Sequence, residues 1–83
     1  MEVRFSRSAV RALSRSNKRA LIRAKLEELA ADSLAVNPNV TRLHGRPEFR
    51  LRVQDWRVIF RVQGDVLLVD EVGPRGSVYE DRT

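Results

Sequence analysis

Eighty-three residues with a formal charge of +5 and no cysteine predict one small domain spanning 1–83. The composition excludes a disulfide framework, a thiolate metal site and a cysteine nucleophile. The longest apolar runs ("VIF", "VLLV") fall far short of the ~20 residues that span a bilayer.

The opening "MEVRFSRSAV" has no apolar core of the secretion-signal kind, so the expected location is the cytosol, with no membrane partner. Fourteen of the 16 basic residues are arginine, with lysine only at 18 and 25. Arginine offers a planar fork of donors that fits phosphate and a flat face that stacks on bases. A GC-rich genome would also favour its codons. Eight basic residues stand against one acidic residue in the first 25 positions, and six against two in positions 42–61. This imbalance predicts a basic face and a polyanionic partner.

In chain order, Val3 and Phe5 alternate with charged neighbours and predict a short strand. Ser6 can cap a helix whose stripe is Ala9, Val10 and Leu13. "SRSN" (14–17) interrupts it, and Leu21, Ile22, Leu26, Leu29 and Ala30 predict a second helix from Lys18 to Asp32. "AVNPNVTRLHGRPE" (35–48), with Pro38, Gly45 and Pro47, reads as a loop. Three strands follow at Phe49–Val53, Trp56–Val62 and Val66–Val72, joined by "QD" and "QGD". A turn and a final segment, "GPRGSVYEDRT", complete the order β-α-α-β-β-β. This is an α+β class, with a helical hairpin on one face of a small, mainly antiparallel sheet.

The informative stretch is "FRLRVQDWRVIFR". Strand side chains alternate between faces, so Phe49, Leu51 and Val53 share one face with Trp56, Val58, Phe60 and Val62 if "QD" is a two-residue loop. Arg50, Arg52, Arg57 and Arg61 then share the opposite face, with Arg52 directly opposite Arg57. Like charges so placed destabilise a sheet unless an anion relieves them. Asp55, Asp70 or Glu71 could supply counter-charge. The loop at "QGD" could hold two residues or three, which leaves open whether Asp70 or Glu71 shares the arginine face.

The run "RLRVQDWRVIFRVQGDVLLVDEVGPRGSVYED" resembles the RelE/ParE superfamily of toxins from bacterial and archaeal toxin–antitoxin pairs. "DWRVIF" stands for the family's central motif and "GPRGSVY" for its last one. The resemblance covers nearly the whole chain and implies the RelE-like fold. RelE-type members cut mRNA on the ribosome, whereas ParE-type members target DNA gyrase.

The resemblance to RelE-type members implies a ribosome-dependent endoribonuclease that inhibits translation, with ribosome and mRNA as partners and a cognate acidic antitoxin as its inhibitor. A gyrase inhibitor without nuclease activity is the alternative. By the same resemblance the working residues are Arg57, Arg75 and Tyr79 as catalytic groups and Arg50 and Arg52 as phosphate binders, to which the strand alternation adds Arg61. Arg50 and Arg52 stand where some family RNases carry lysine, and arginine does not readily shuttle protons.

The remaining candidates are weaker. His44 is the sole histidine, and with no His/Asp/Glu cluster around it neither a metal site nor a cofactor is expected. Arg7, Arg11, Arg15, Arg19 and Arg23 recur every four residues and predict a cationic ridge along the helices, either a solvated surface or a contact for ribosomal RNA backbone. The face assigned to Trp56 places it in the core.

Overall fold

The computed structural model describes residues 1–31 and 37–76. Strand β1 (Glu2–Phe5) leads into helix α1 (Arg7–Ser14) and helix α2 (Arg19–Ala31). Strands β2 (Val40–Arg42), β3 (Phe49–Val53), β4 (Trp56–Gln63) and β5 (Val66–Pro74) follow. The five strands form one sheet in the order β1-β5-β4-β3-β2, antiparallel except where β1 runs parallel to β5.

Capping sets the helix ends. Ser6 stays extended (φ −67°, ψ 166°) while its Oγ accepts the Ala9 N–H at 3.1 Å, satisfying one orphan donor of the first turn. α1 stops where the Arg15 N–H turns back to the carbonyls of Ala12 and Leu13. Ser16, buried in the break, accepts the Lys18 N–H at 2.9 Å through its Oγ and starts the next turn. At the far end of α2 the Met1 ammonium donates to the Ala30 carbonyl at 3.2 Å, a positive charge at the negative end of a helix dipole.

Both helices cover one face of the sheet. Ala9 and Leu13 from α1 and Ile22, Leu26 and Leu29 from α2 pack onto Leu51, Val53, Val58, Phe60, Leu67, Val69 and Val72. Each of the Leu, Ile, Val and Phe side chains among them contributes about 1.5–3 kcal/mol by leaving water. Phe60 is fully buried and stacks on Phe49 with ring centroids 5.4 Å apart.

The expected α+β class holds, with one more strand than the sequence suggested. The segment read as a loop contains β2, whose Val40 pairs with Leu51 and packs against the core. Three residues are too short for an alternating pattern to register among Asn and Pro. The tight turn before β2 is held by Asn37, whose Oδ1 accepts the Asn39 N–H and whose carbonyl accepts the Val40 N–H.

The loops joining β3 to β4 and β4 to β5 each contain two residues. Val53 pairs with Trp56 across Gln54–Asp55, and Gln63 pairs with Val66 across Gly64–Asp65. Gly64 (φ 59°) suits the left-handed backbone of its turn, whereas Gln54 (φ 53°) adopts that conformation without being glycine. β5 runs two residues beyond the expected Val72, ending at Pro74. Among the described residues no helix is long and apolar enough to cross a membrane.

Candidate functional site

The register of β3 and β4 matches the one expected from the sequence. Leu51 faces Val58, Arg52 faces Arg57 and Arg50 faces Ile59. Since the apolar partners form the core under the helices, Arg50, Arg52, Arg57 and Arg61 share the helix-free face.

These four arginines are not equivalent. Arg52 is exposed and makes no ion pair among the described residues, while Arg50 is partly buried and engaged. Arg57 is only 6% exposed, and its Nη1 donates to the carbonyls of Gln54 and Trp56, each at 3.0 Å. Those bonds orient the guanidinium across the β3–β4 turn and satisfy carbonyls of a strained loop. Arg61 donates from Nε to Asp70 Oδ2 at 3.1 Å.

A β-bulge supplies that carboxylate. Phe60 pairs with Val69 but Ile59 pairs with Glu71, so Asp70 is the extra residue. Alternation from Leu68 puts Asp70 on the arginine face. The extra residue then keeps Glu71 off the core face and returns Val72, 7% exposed, to the core. In an unbroken register Glu71 would oppose the buried Val58, an expensive place for a carboxylate.

The centre of the arginine face is dry. Ile59, between Arg57 and Arg61 in sequence, is 1% exposed because Leu43 folds over it. The loop carrying Leu43 closes through its N–H to the Glu48 carbonyl at 3.0 Å and through Arg46 Nε to Glu48 Oε1 at 3.1 Å. Charges bordering such an apolar island are less screened than charges in open solvent. On the far margin Arg4 pairs with Glu2 at 2.9 Å, and that hydrogen bond, then the carboxylate's charge, raises the Arg4 pKa.

The other sequence candidates fall around this face. Arg75 is exposed in the turn after β5, and its N–H donates to the Asp55 carbonyl at 2.6 Å, which brings the turn beside Arg57. Tyr79 lies outside the described residues. Arg7, Arg11, Arg15, Arg19 and Arg23 are all exposed on the helical layer, across the sheet from the arginine face. The break between the helices divides them. Arg19 Nη1 donates to the Ser16 carbonyl at 2.9 Å, and Arg23 lies over the Phe5 ring at 5.3 Å. His44 is exposed in its turn, and among the described residues no group of His, Asp and Glu side chains gathers as metal ligands would.

Trp56 departs from its expected place in the core. It packs against the core edge but is half-buried, lining a cleft of ≈ 340 Å³ with Ala12, Arg15 and the Glu71–Pro74 end of β5.

The fold and this arginine row can be set beside known proteins. The family described as ParE toxin of type II toxin–antitoxin system, parDE, matches residues 3–79, nearly the entire chain. The chain belongs to that toxin family. It is thus a type II toxin of the RelE/ParE superfamily.

Solved structures similar to this toxin include the RelB–RelE antitoxin–toxin complex from Methanococcus jannaschii, at 25% identity and TM-score 0.69, over 90% of this chain and 93% of that one. The isolated Escherichia coli RelE toxin superposes at TM-score 0.75 with 21% identity, over 93% of this chain and 86% of that one. E. coli YafQ shares the fold at 11% identity and TM-score 0.71, over 94% and 97%. No curated protein matches the sequence significantly.

Proposed function

We propose that this toxin is a metal-independent endoribonuclease that cuts mRNA on the ribosome and is restrained by a cognate acidic antitoxin. The observation that carries the reading is the register that sets Arg52 opposite Arg57, with Arg50 and Arg61 on the same face. A sheet that accepts this repulsion gains from an anion that relieves it, and the RNA backbone is a regular array of such anions.

The chemistry follows from what arginine and tyrosine can do. The 2′-oxygen of one nucleotide attacks the adjacent phosphorus and the bond to the 5′-oxygen breaks, leaving a 2′,3′-cyclic phosphate and a 5′-hydroxyl. The 2′-OH proton goes to a base, and water supplies the proton taken up by the leaving oxygen. Arg52 and Arg57 hold the phosphate and the extra negative charge of the transition state. The carbonyl bonds of Arg57 fix its charge in advance, as electrostatic stabilisation requires. Arg75, whose turn is tied to Asp55, serves the leaving oxygen. Tyr79 is the group proposed to take the 2′-OH proton, since a cation beside a phenol favours its phenolate.

The antitoxin follows from the family and from the toxin–antitoxin complexes of similar fold. Acidic and apolar side chains suit the arginine face and its apolar island. The cytosol is the expected place of action.

One observation favours a second reading. Arg57 is buried against backbone carbonyls, and the cations of the β3–β4 face are all arginine, which holds anions better than it moves protons. A toxin of this kind would bind DNA gyrase without cutting RNA. Growth arrest by the wild type and by an Arg57→Ala, Tyr79→Phe double variant separates the two readings. At matched expression the RNase loses its toxicity with those residues, without a DNA-damage response in the wild type. Equal toxicity of both proteins, with DNA damage, would point to gyrase.

A further inference from the structure

Asp70 sits on the arginine face, ion-paired with Arg61. It is the unpaired residue of the β5 bulge, and its carbonyl accepts hydrogen bonds from Ser6 Oγ at 2.8 Å and Ser8 Oγ at 3.3 Å. The first turn of α1 therefore clamps the backbone of the bulge from one side. Across the strand its carboxylate accepts from Arg61 Nε at 3.1 Å. The pair is held but not sealed, since the Arg61 and Asp70 side chains are 38% and 25% exposed. A phosphate oxygen offers Arg61 the same geometry that the carboxylate does.

We infer that Asp70 is a positioning residue for Arg61, an internal competitor for phosphate that withholds one cation from the arginine face and lowers its affinity for RNA. The inference rests on the RNA-binding reading of that face. While Arg61 is neutralised by Asp70, phosphate is drawn to the exposed Arg52, beside the turn where Arg75 also sits. Asp70 thereby confines the backbone to the end of the sheet where cleavage is proposed.

The magnitude comes from counterion release. One further phosphate contact on a single strand steepens the slope of log K against log[salt] by about 0.7. At about 0.1 M salt that exponent amounts to a roughly fivefold tighter complex.

The test is fluorescence anisotropy of a labelled single-stranded RNA over a range of salt, with native circular dichroism as the control for folding. Asp70→Asn should bind about fivefold tighter at about 0.1 M salt, with the steeper slope. Asp70→Glu should stay with the wild type, and the gain should vanish when Arg61→Ala is added. Asp70→Ser provides the same comparison if Asp70→Asn folds poorly. An Asp70→Asn variant that binds no tighter, while Arg52→Ala binds more weakly than wild type, would overturn the role of Asp70 alone. RNA binding indifferent to both substitutions would overturn the arginine-face reading together with it.

Discussion

Arg52→Gln should make the toxin more stable and less able to bind RNA. Arg52 is exposed, makes no ion pair among the described residues, and faces Arg57 across the strand pair. Two unit charges roughly 7 Å apart repel by about 0.6 kcal/mol in water and about 2.4 kcal/mol at the effective dielectric of a protein surface. Cross-strand pairs of this kind are worth about 0.2–1 kcal/mol, so about 0.7 kcal/mol is the expected gain. For a domain of this size that is about 3–6 °C in Tm.

Thermal unfolding followed by circular dichroism measures it, at about 0.1 M and about 1 M salt. The Debye length falls from about 10 Å to about 3 Å between these conditions, so the gain should nearly disappear at the higher one. RNA affinity of the same variant should fall. Glutamine keeps most of the length of the side chain, so the comparison isolates charge. An Arg52→Gln protein no more stable than wild type at low salt, or equally stabilised at both, would refute the repulsion on which the anion argument rests.

Three further outcomes follow from the geometry. Ser6→Ala removes both the cap on the Ala9 N–H and the donor to the Asp70 carbonyl, and should cost about 1–2 kcal/mol by denaturant titration. Gln54→Gly relieves the left-handed backbone of the β3–β4 turn, worth about 1–2 kcal/mol, less the entropy glycine adds to the unfolded chain. A net gain of about 0.5 kcal/mol is expected, whereas Gln54→Val should destabilise. Adding the cognate antitoxin at about 1,000 times its Kd should stabilise the toxin by about 4 kcal/mol, read as a rise in Tm.

Much of the site was legible because two independent signals coincided in β3 and β4. Alternation sorted Leu51, Val53, Val58 and Phe60 from the arginines, and a two-residue loop aligned the two apolar sets. The features that were not legible are those in which tertiary packing overrides a local pattern. Arg57 alternates like a solvent-facing residue, yet the carbonyls of the neighbouring turn enclose it. Leu43 lies among turn residues and reads as loop, but it covers Ile59, an apolar residue between two arginines of the same face.

The bulge has no signature in "VLLVDEVGP" beyond a conflict of parity. A regular strand would send Glu71 to the core side and Val72 to the charged side, and one extra residue removes the conflict. For Trp56, strand alternation alone points to the core. Being the first residue of its strand, it reaches the end of the core, where a cleft opens beside it.

The most direct test of the central claim is primer extension on a defined mRNA in a purified translation system, with and without ribosomes. The wild type should produce new 5′ ends at decoding-site codons only when ribosomes are present, and Tyr79→Phe and Arg52→Gln should lose or weaken them. Intact mRNA under conditions in which the toxin still arrests growth would contradict the account and leave the arginine face a docking surface.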